Sequence, residues 1–133
     1  MSTISISTKS FIKTVQAKID DHVYTVRKMG AGEELDLSRE LGTLSKFKSK
    51  VLNLQGKMEA EKDEEKQVKL MTEFQKLMAD FSVVNARIEE AYIRLFDDHE
   101  DGSKSRNLVH TLGLANIQKV YSQIMEQADA EAN

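Results

Sequence analysis

The chain has 133 residues, of which 40% are apolar and 31% are charged, with a formal net charge of -3. This composition fits one folded domain and excludes a disordered chain, while the mixed charges do not favour a nucleic-acid partner. The absence of cysteine excludes disulfides, thiol catalysis and thiolate zinc sites, and because no apolar run approaches the roughly 20 residues that cross a bilayer, we expect no membrane association.

The N-terminal part changes its character at Phe11. Residues 1–10 are rich in serine and threonine and are predicted to be a loose end. Residues 11–29 mostly alternate apolar and polar side chains on either side of Asp20 and Asp21, which predicts a β-hairpin with a short acidic turn. A two-stranded ribbon is marginal in water, so we expect it to lie on helices or to pair with another copy, with self-association through Tyr24 and Val26.

Residues 33–96 carry two long amphipathic patterns, from Leu37 to Met58 and from Met71 to Leu95. In both, apolar residues recur at steps of three or four, as on one face of a helix. The charged segment 59–66 separates them and predicts an antiparallel helical hairpin. The alternative is one helix about 100 Å long that other chains would cover. Gly42 could kink the first helix, because glycine costs about 1 kcal/mol relative to alanine in a helix.

The chain ends in shorter helical segments. After a polar loop that begins at Asp97, residues 105–128 are predicted to form C-terminal helices separated at Gly113, and residues 129–133 are expected to fray. The predicted fold class is therefore mainly α with a short N-terminal β-hairpin (α+β). It consists of a long antiparallel helical hairpin plus a C-terminal helical segment, in a single domain over residues 1–133.

No group of side chains indicates catalysis. The polar loop matches a twelve-residue calcium loop in its first half, at Asp97, His99, Asp101 and Gly102. Leu108, however, stands where such a loop needs a bidentate glutamate, which favours a solvated linker. The three histidines lie in separate segments without metal-ligand spacing. We therefore predict a protein that is not an enzyme and has neither a metal site nor a cofactor.

The second apolar stripe is wider than a single partner helix requires. Its methionines could fill gaps in a core. They could also form an adaptable surface, because thioether side chains repack at low cost against different apolar partners. The candidate partner-binding residues on this stripe are Met71, Phe74, Met78, Phe81, Ile88 and Leu95.

The order of these parts resembles a known family. The hairpin segment from Ala17 to Met29 and the junction from Gly30 to Leu37 resemble the tail assembly chaperones of long-tailed bacteriophages, particularly phages of Gram-positive hosts. The resemblance implies a non-enzymatic protein of the bacterial host cytoplasm that is not retained in the mature particle. It further implies binding and solubilisation of the long helical tape measure protein and recruitment of tail tube subunits. We also expect a homo-oligomer, because many weak identical contacts could coat such a partner.

Two other functional classes stay open. A permanent structural or adaptor subunit could self-assemble through the same helices and would keep its stoichiometry on dilution. A small nucleic-acid-binding factor could use the basic patch formed by Arg39, Lys46, Lys48 and Lys50, and its binding would depend on salt.

Overall fold

A computed structural model describes residues 2–132, and Met1 and Asn133 lie outside the described residues. The elements in chain order are a 3-10 turn Thr8–Phe11, β1 Thr14–Ile19, β2 His22–Arg27, α1 Ala31–Ala60, α2 Glu64–Leu95, β3 Phe96–Asp97, α3 Ser103–Leu112 and α4 Leu114–Ala132. The predicted fold class is confirmed. The described elements form two compact units: Ala31–Glu90, called the hairpin unit below, and residues 2–30 with 91–132, called the sheet unit.

The hairpin unit consists of two long helices that run antiparallel. Residues 61–63 join them, so the chain turns back inside the charged segment as predicted. The Asp63 carboxylate caps α2 by accepting the backbone N–H of Glu65 at 3.0 Å. An ion pair of 3.1 Å joins Glu40, near the start of α1, to Arg87, near the end of α2. α1 continues through Gly42 as one helix.

The sheet unit is built on a three-stranded antiparallel sheet of order β1-β2-β3. β1 and β2 form the predicted hairpin, in which Ile19 pairs with His22 across the acidic turn. β3 was not predicted. It has two residues, and Phe96 pairs with Val26 of the central strand. Both side chains are fully buried, at 1% and 0% exposure, so this short strand holds the end of α2 against the sheet.

Aromatic side chains connect the sheet to α4. Phe96 packs edge to face against Tyr24 and Tyr121, with ring centroids 6.3 and 6.4 Å apart, and such pairs contribute about 0.5–1.5 kcal/mol beyond the buried area. The Tyr121 hydroxyl accepts the backbone N–H of Met29 at 2.8 Å. It therefore satisfies a donor where β2 has ended and fixes α4 beside the sheet.

The two ends of the chain differ from each other. Residues 2–7 have no regular secondary structure, in keeping with the predicted loose N-terminus. α4 continues to Ala132, so the residues 129–132 that were predicted to fray lie within this helix. Gly113 separates α3 from α4 with φ of 79°, in the left-handed region that favours glycine.

Candidate functional site

An open apolar groove lies on one side of the hairpin unit. It has a volume of about 280 Å³ and is lined by Lys48, Val51, Leu52, Met78 and Phe81. Leu52 is 69% exposed and Met78 is 38% exposed, although both side chains are large and apolar. Only Lys48 among the lining residues is charged. The groove is thus a patch of apolar surface that the folded chain leaves open to solvent.

The groove follows from how the apolar stripe is arranged around α2. Successive residues turn by about 100°, so Phe74 and Phe81 lie beside the buried position Ile88, and Met71 and Met78 lie further round. Exposure increases in the same order. Ile88 is 1% exposed, the two phenylalanines are half-buried, and Met78 and Met71 are 38% and 46% exposed. The stripe therefore extends beyond the part that the chain buries within itself.

The opposite side of the hairpin unit is charged. A groove of about 260 Å³ on that side is lined by Lys50, Asn53, Leu54, Lys57, Glu73 and Leu77. Leu52 and Asn53 are neighbours in sequence but line different grooves, because one step along a helix turns the side chain by about 100°. The two sides therefore differ in charge, and the groove beside Leu52 suits an apolar partner better.

Two of the predicted partner-binding residues require a correction. Ile88 and Leu95 are 1% and 2% exposed. Both side chains are buried, that of Ile88 in the hairpin unit and that of Leu95 in the sheet unit. An apolar partner cannot reach them without unfolding the chain. The accessible residues of the predicted set are Met71, Phe74, Met78 and Phe81.

The predicted self-association residues also require a correction. Tyr24 is 5% exposed and Val26 is fully buried, because β2 is the central strand of the sheet and pairs on both sides. Burial raises the pKa of Tyr24, and the nearby negative charge of Asp98 adds to the effect. These two side chains stabilise the sheet unit, and the sheet edge available to another strand is β1.

The chain matches no protein-family model, no curated protein and no solved structure. No helix among residues 2–132 combines the length and the apolar character that a membrane crossing requires. The functional interpretation therefore depends on the surfaces of the molecule.

Asp98 is a buried carboxylate, 1% exposed, whose role the sequence did not reveal. It accepts the backbone N–H groups of Glu100 and Gly102 at 2.9 and 3.2 Å, and those of Lys104 and Ser105 at 3.0 and 3.2 Å. Burial by itself would raise the pKa of Asp98, but the four donors outweigh it and hold the pKa below its ordinary value. The last two donors belong to the first turn of α3, so Asp98 caps that helix from a distance.

Two histidines connect the same loop to the sheet. His22 donates its Nε2–H to the backbone carbonyl of Asp98 at 2.7 Å, and His99 Nε2 lies 2.8 Å from the Thr25 hydroxyl. The part of the chain that the structure describes contains no group of three or more His, Cys, Asp or Glu residues placed to hold a metal ion. The contacts of this loop hold β2, β3 and α3 together, which indicates a structural role.

Proposed function

We propose that the protein is a non-enzymatic tail assembly chaperone that binds and solubilises a long helical partner, the tape measure protein, and helps recruit tail tube subunits. The single observation that supports this proposal most is the apolar groove of the hairpin unit, where the large apolar side chains of Leu52 and Met78 are exposed. Apolar surface of this kind suits a partner that has apolar stripes of its own and aggregates when these stripes are left in water.

In the proposed mechanism, a helix of the partner docks onto α1 and α2 as a third helix. A partner helix placed over Leu52, Met78 and Phe81 would bury its apolar stripe at the ordinary helix-packing distance of about 8–10 Å. Met78 can change rotamer to fit side chains of different size. Lys48, at the edge of the groove, would meet the polar residues that border such a stripe, and exposed ion pairs are weak enough to tolerate several registers.

The contact between one copy and the partner is expected to be weak, as a chaperone that is later displaced requires. Full burial of an exposed Leu or Met side chain stabilises by about 1.5–3 kcal/mol, and the loss of translational and side-chain freedom offsets much of this gain. Each copy then binds weakly, while many copies along one filament bind strongly together. Tail tube subunits could remove the copies in succession as neighbouring contacts are lost.

A charge placed in the groove tests this proposal. We expect Leu52→Glu combined with Met78→Glu to lower the soluble fraction of a co-expressed tape measure protein several-fold, because burial of two carboxylates in an apolar contact opposes docking. The measurement is the tape measure protein left in the supernatant after centrifugation, and circular dichroism checks that the variant is folded. Both positions are exposed, so the fold should persist.

The control is Asn53→Glu, which adds one carboxylate on the charged side of the hairpin unit and is matched in charge to Leu52→Glu alone. It should solubilise the partner as well as the unchanged chain does. Equal solubilisation by the control and by the folded groove variant would remove the groove from the proposal.

A nucleic-acid-binding factor is less well supported. Lys48 lines the apolar groove, whereas Lys50 lines the groove on the opposite side of the hairpin unit. The lysines that are dense in sequence are thus divided between two surfaces, and a nucleic-acid reader presents them on one.

A further inference from the structure

The outer edge of β1 has backbone groups that no strand of the described chain uses. β1 pairs with β2 alone, and Lys28 donates its backbone N–H to the carbonyl of Lys13 at 2.9 Å. With Ile19 paired to His22 across a two-residue turn, the odd-numbered residues of β1 bond to β2. The groups that point away from the sheet are therefore those of Thr14, Gln16 and Lys18.

A groove of about 440 Å³ lies along this edge and is lined by residues of β1 and α4. Its apolar lining consists of half-buried side chains of both elements, namely Val15, Ala17, Ile19, Val120, Ile124 and Ala128. A strand added to β1 would continue the sheet and cover these side chains at the same time.

We infer that the occupant of this edge is the same edge of a second copy, paired antiparallel about a two-fold axis at Ala17. In this register Gln16 lies opposite the partner's Lys18, so the outward backbone groups of both strands meet. Val15 lies opposite the partner's Ile19, and apolar side chains therefore continue on one face of the joined sheet. The contact is self-complementary, as a two-fold interface must be.

The charges at the two ends of β1 favour antiparallel pairing with the second copy over parallel pairing. β1 is preceded by Lys13 and followed by Asp20 and Asp21. Antiparallel pairing about Ala17 places Lys13 opposite the partner's Asp21 at both ends, whereas parallel pairing would place like charges together. Lys13 already pairs with Asp129 at 2.8 Å, but its side chain is 44% exposed and can reach a second carboxylate.

Charge and side-chain type also select the register. An axis at Gln16 would place Asp20 opposite the partner's Ile12, and an axis at Lys18 would place two lysines opposite each other. The axis at Ala17 avoids both contacts and aligns all of β1, from Thr14 to Ile19.

Single cysteines test the axis directly, because the natural chain contains none. Residues that face each other without hydrogen bonds have Cα atoms about 4.5 Å apart, within the range of a disulfide. Ala17→Cys should therefore form a covalent dimer on mild oxidation. Val15→Cys is the control, since its counterpart lies about four residues away along the joined strands, at roughly 13 Å, and it should stay monomeric in a denaturing gel.

A charge exchange tests the pairing in solution. Asp21→Lys should weaken dimerisation about tenfold, measured by light-scattering mass over a dilution series. Addition of Lys13→Glu together with Asp129→Lys, which keeps opposite charges at positions 13 and 129, should restore it. A chain that stays monomeric at high concentration and forms no Ala17→Cys dimer would overturn the inference. So would association abolished by Ile4→Asp with Ile6→Asp, because the N-terminal segment would then be the occupant. Neither result affects the groove of the hairpin unit, which these residues do not line.

Discussion

At the scale of single residues, Asp98 shows how a buried charge can be structural. Its carboxylate lies where three elements meet, and every contact described for it is with a backbone N–H group of residues 100–105. The Ser105 hydroxyl donates to the carbonyl of Phe96 and closes the same loop from the other side. Because the loop depends on these two side chains, one substitution should affect β3 and α3 together.

We expect Asp98→Ala to lower the free energy of unfolding by about 2–3 kcal/mol, because buried backbone donors lose their acceptor. The measurement is the urea midpoint, followed by far-UV circular dichroism. Asp101→Ala is the control, since its carboxylate is exposed and hydrogen-bonds to Ser103 through that residue's backbone N–H and its side chain. It should change the midpoint much less, and equal effects would argue against Asp98 as the cap of α3.

The stability that Asp98 provides should depend on pH in a defined direction. The pKa of Asp98 in the folded chain lies below the ordinary value of 3.8. As the pH falls, Asp98 is therefore protonated at a higher pH in the unfolded chain than in the folded chain. The contribution is complete above the unfolded pKa and is lost as the pH falls through the folded pKa. The difference in unfolding free energy between the natural chain and Asp98→Ala should therefore be constant from about pH 5 to 8 and should shrink in acid. A constant difference down to the lowest pH would contradict this origin.

At the scale of elements, α1 contains glycines that its structure does not require. A Cβ atom added at Gly42 or at Gly56 would meet nothing within 4 Å, and neither residue has a positive φ. Alanine is favoured over glycine inside a helix by about 0.5–1 kcal/mol. Gly42→Ala and Gly56→Ala should each raise the free energy of unfolding by that amount, measured by urea titration. Gly113→Ala should lower it, because φ of 79° is strained for alanine.

The elements also show what the sequence could predict. Periodicity predicted both long helices, because each face has enough residues to define a period, and the charged segment 59–66 between them predicted the turn. It could not predict β3, which has two residues and exists only because Phe96 meets Val26. The cap formed by Asp98 and the burial of Ile88 and Leu95 had no local signal either, because both depend on the tertiary packing of the chain.

At the scale of the whole molecule, two surfaces of unlike chemistry serve two proposed associations. The groove beside Leu52 and Met78 is apolar, whereas the edge of β1 is flanked by the charged residues Lys13 and Asp21. At 1 M salt the Debye length falls to about 3 Å, so exposed ion pairs are screened, while apolar burial persists. High salt should therefore lower the dimer fraction and leave solubilisation of the partner intact. Light-scattering mass and the pelleting assay measure the two effects, and a common salt response would contradict the separation.

The tip of the hairpin unit has a practical consequence. The connection there has three residues, Lys62 is exposed, and Asp63 caps the helix that follows. Lengthening such a loop costs little, because the entropy of closure grows slowly with its length. A fluorescent reporter or an epitope inserted after Lys62 should leave both helices in place, and it would allow the chain to be followed by microscopy in living cells without altering either end.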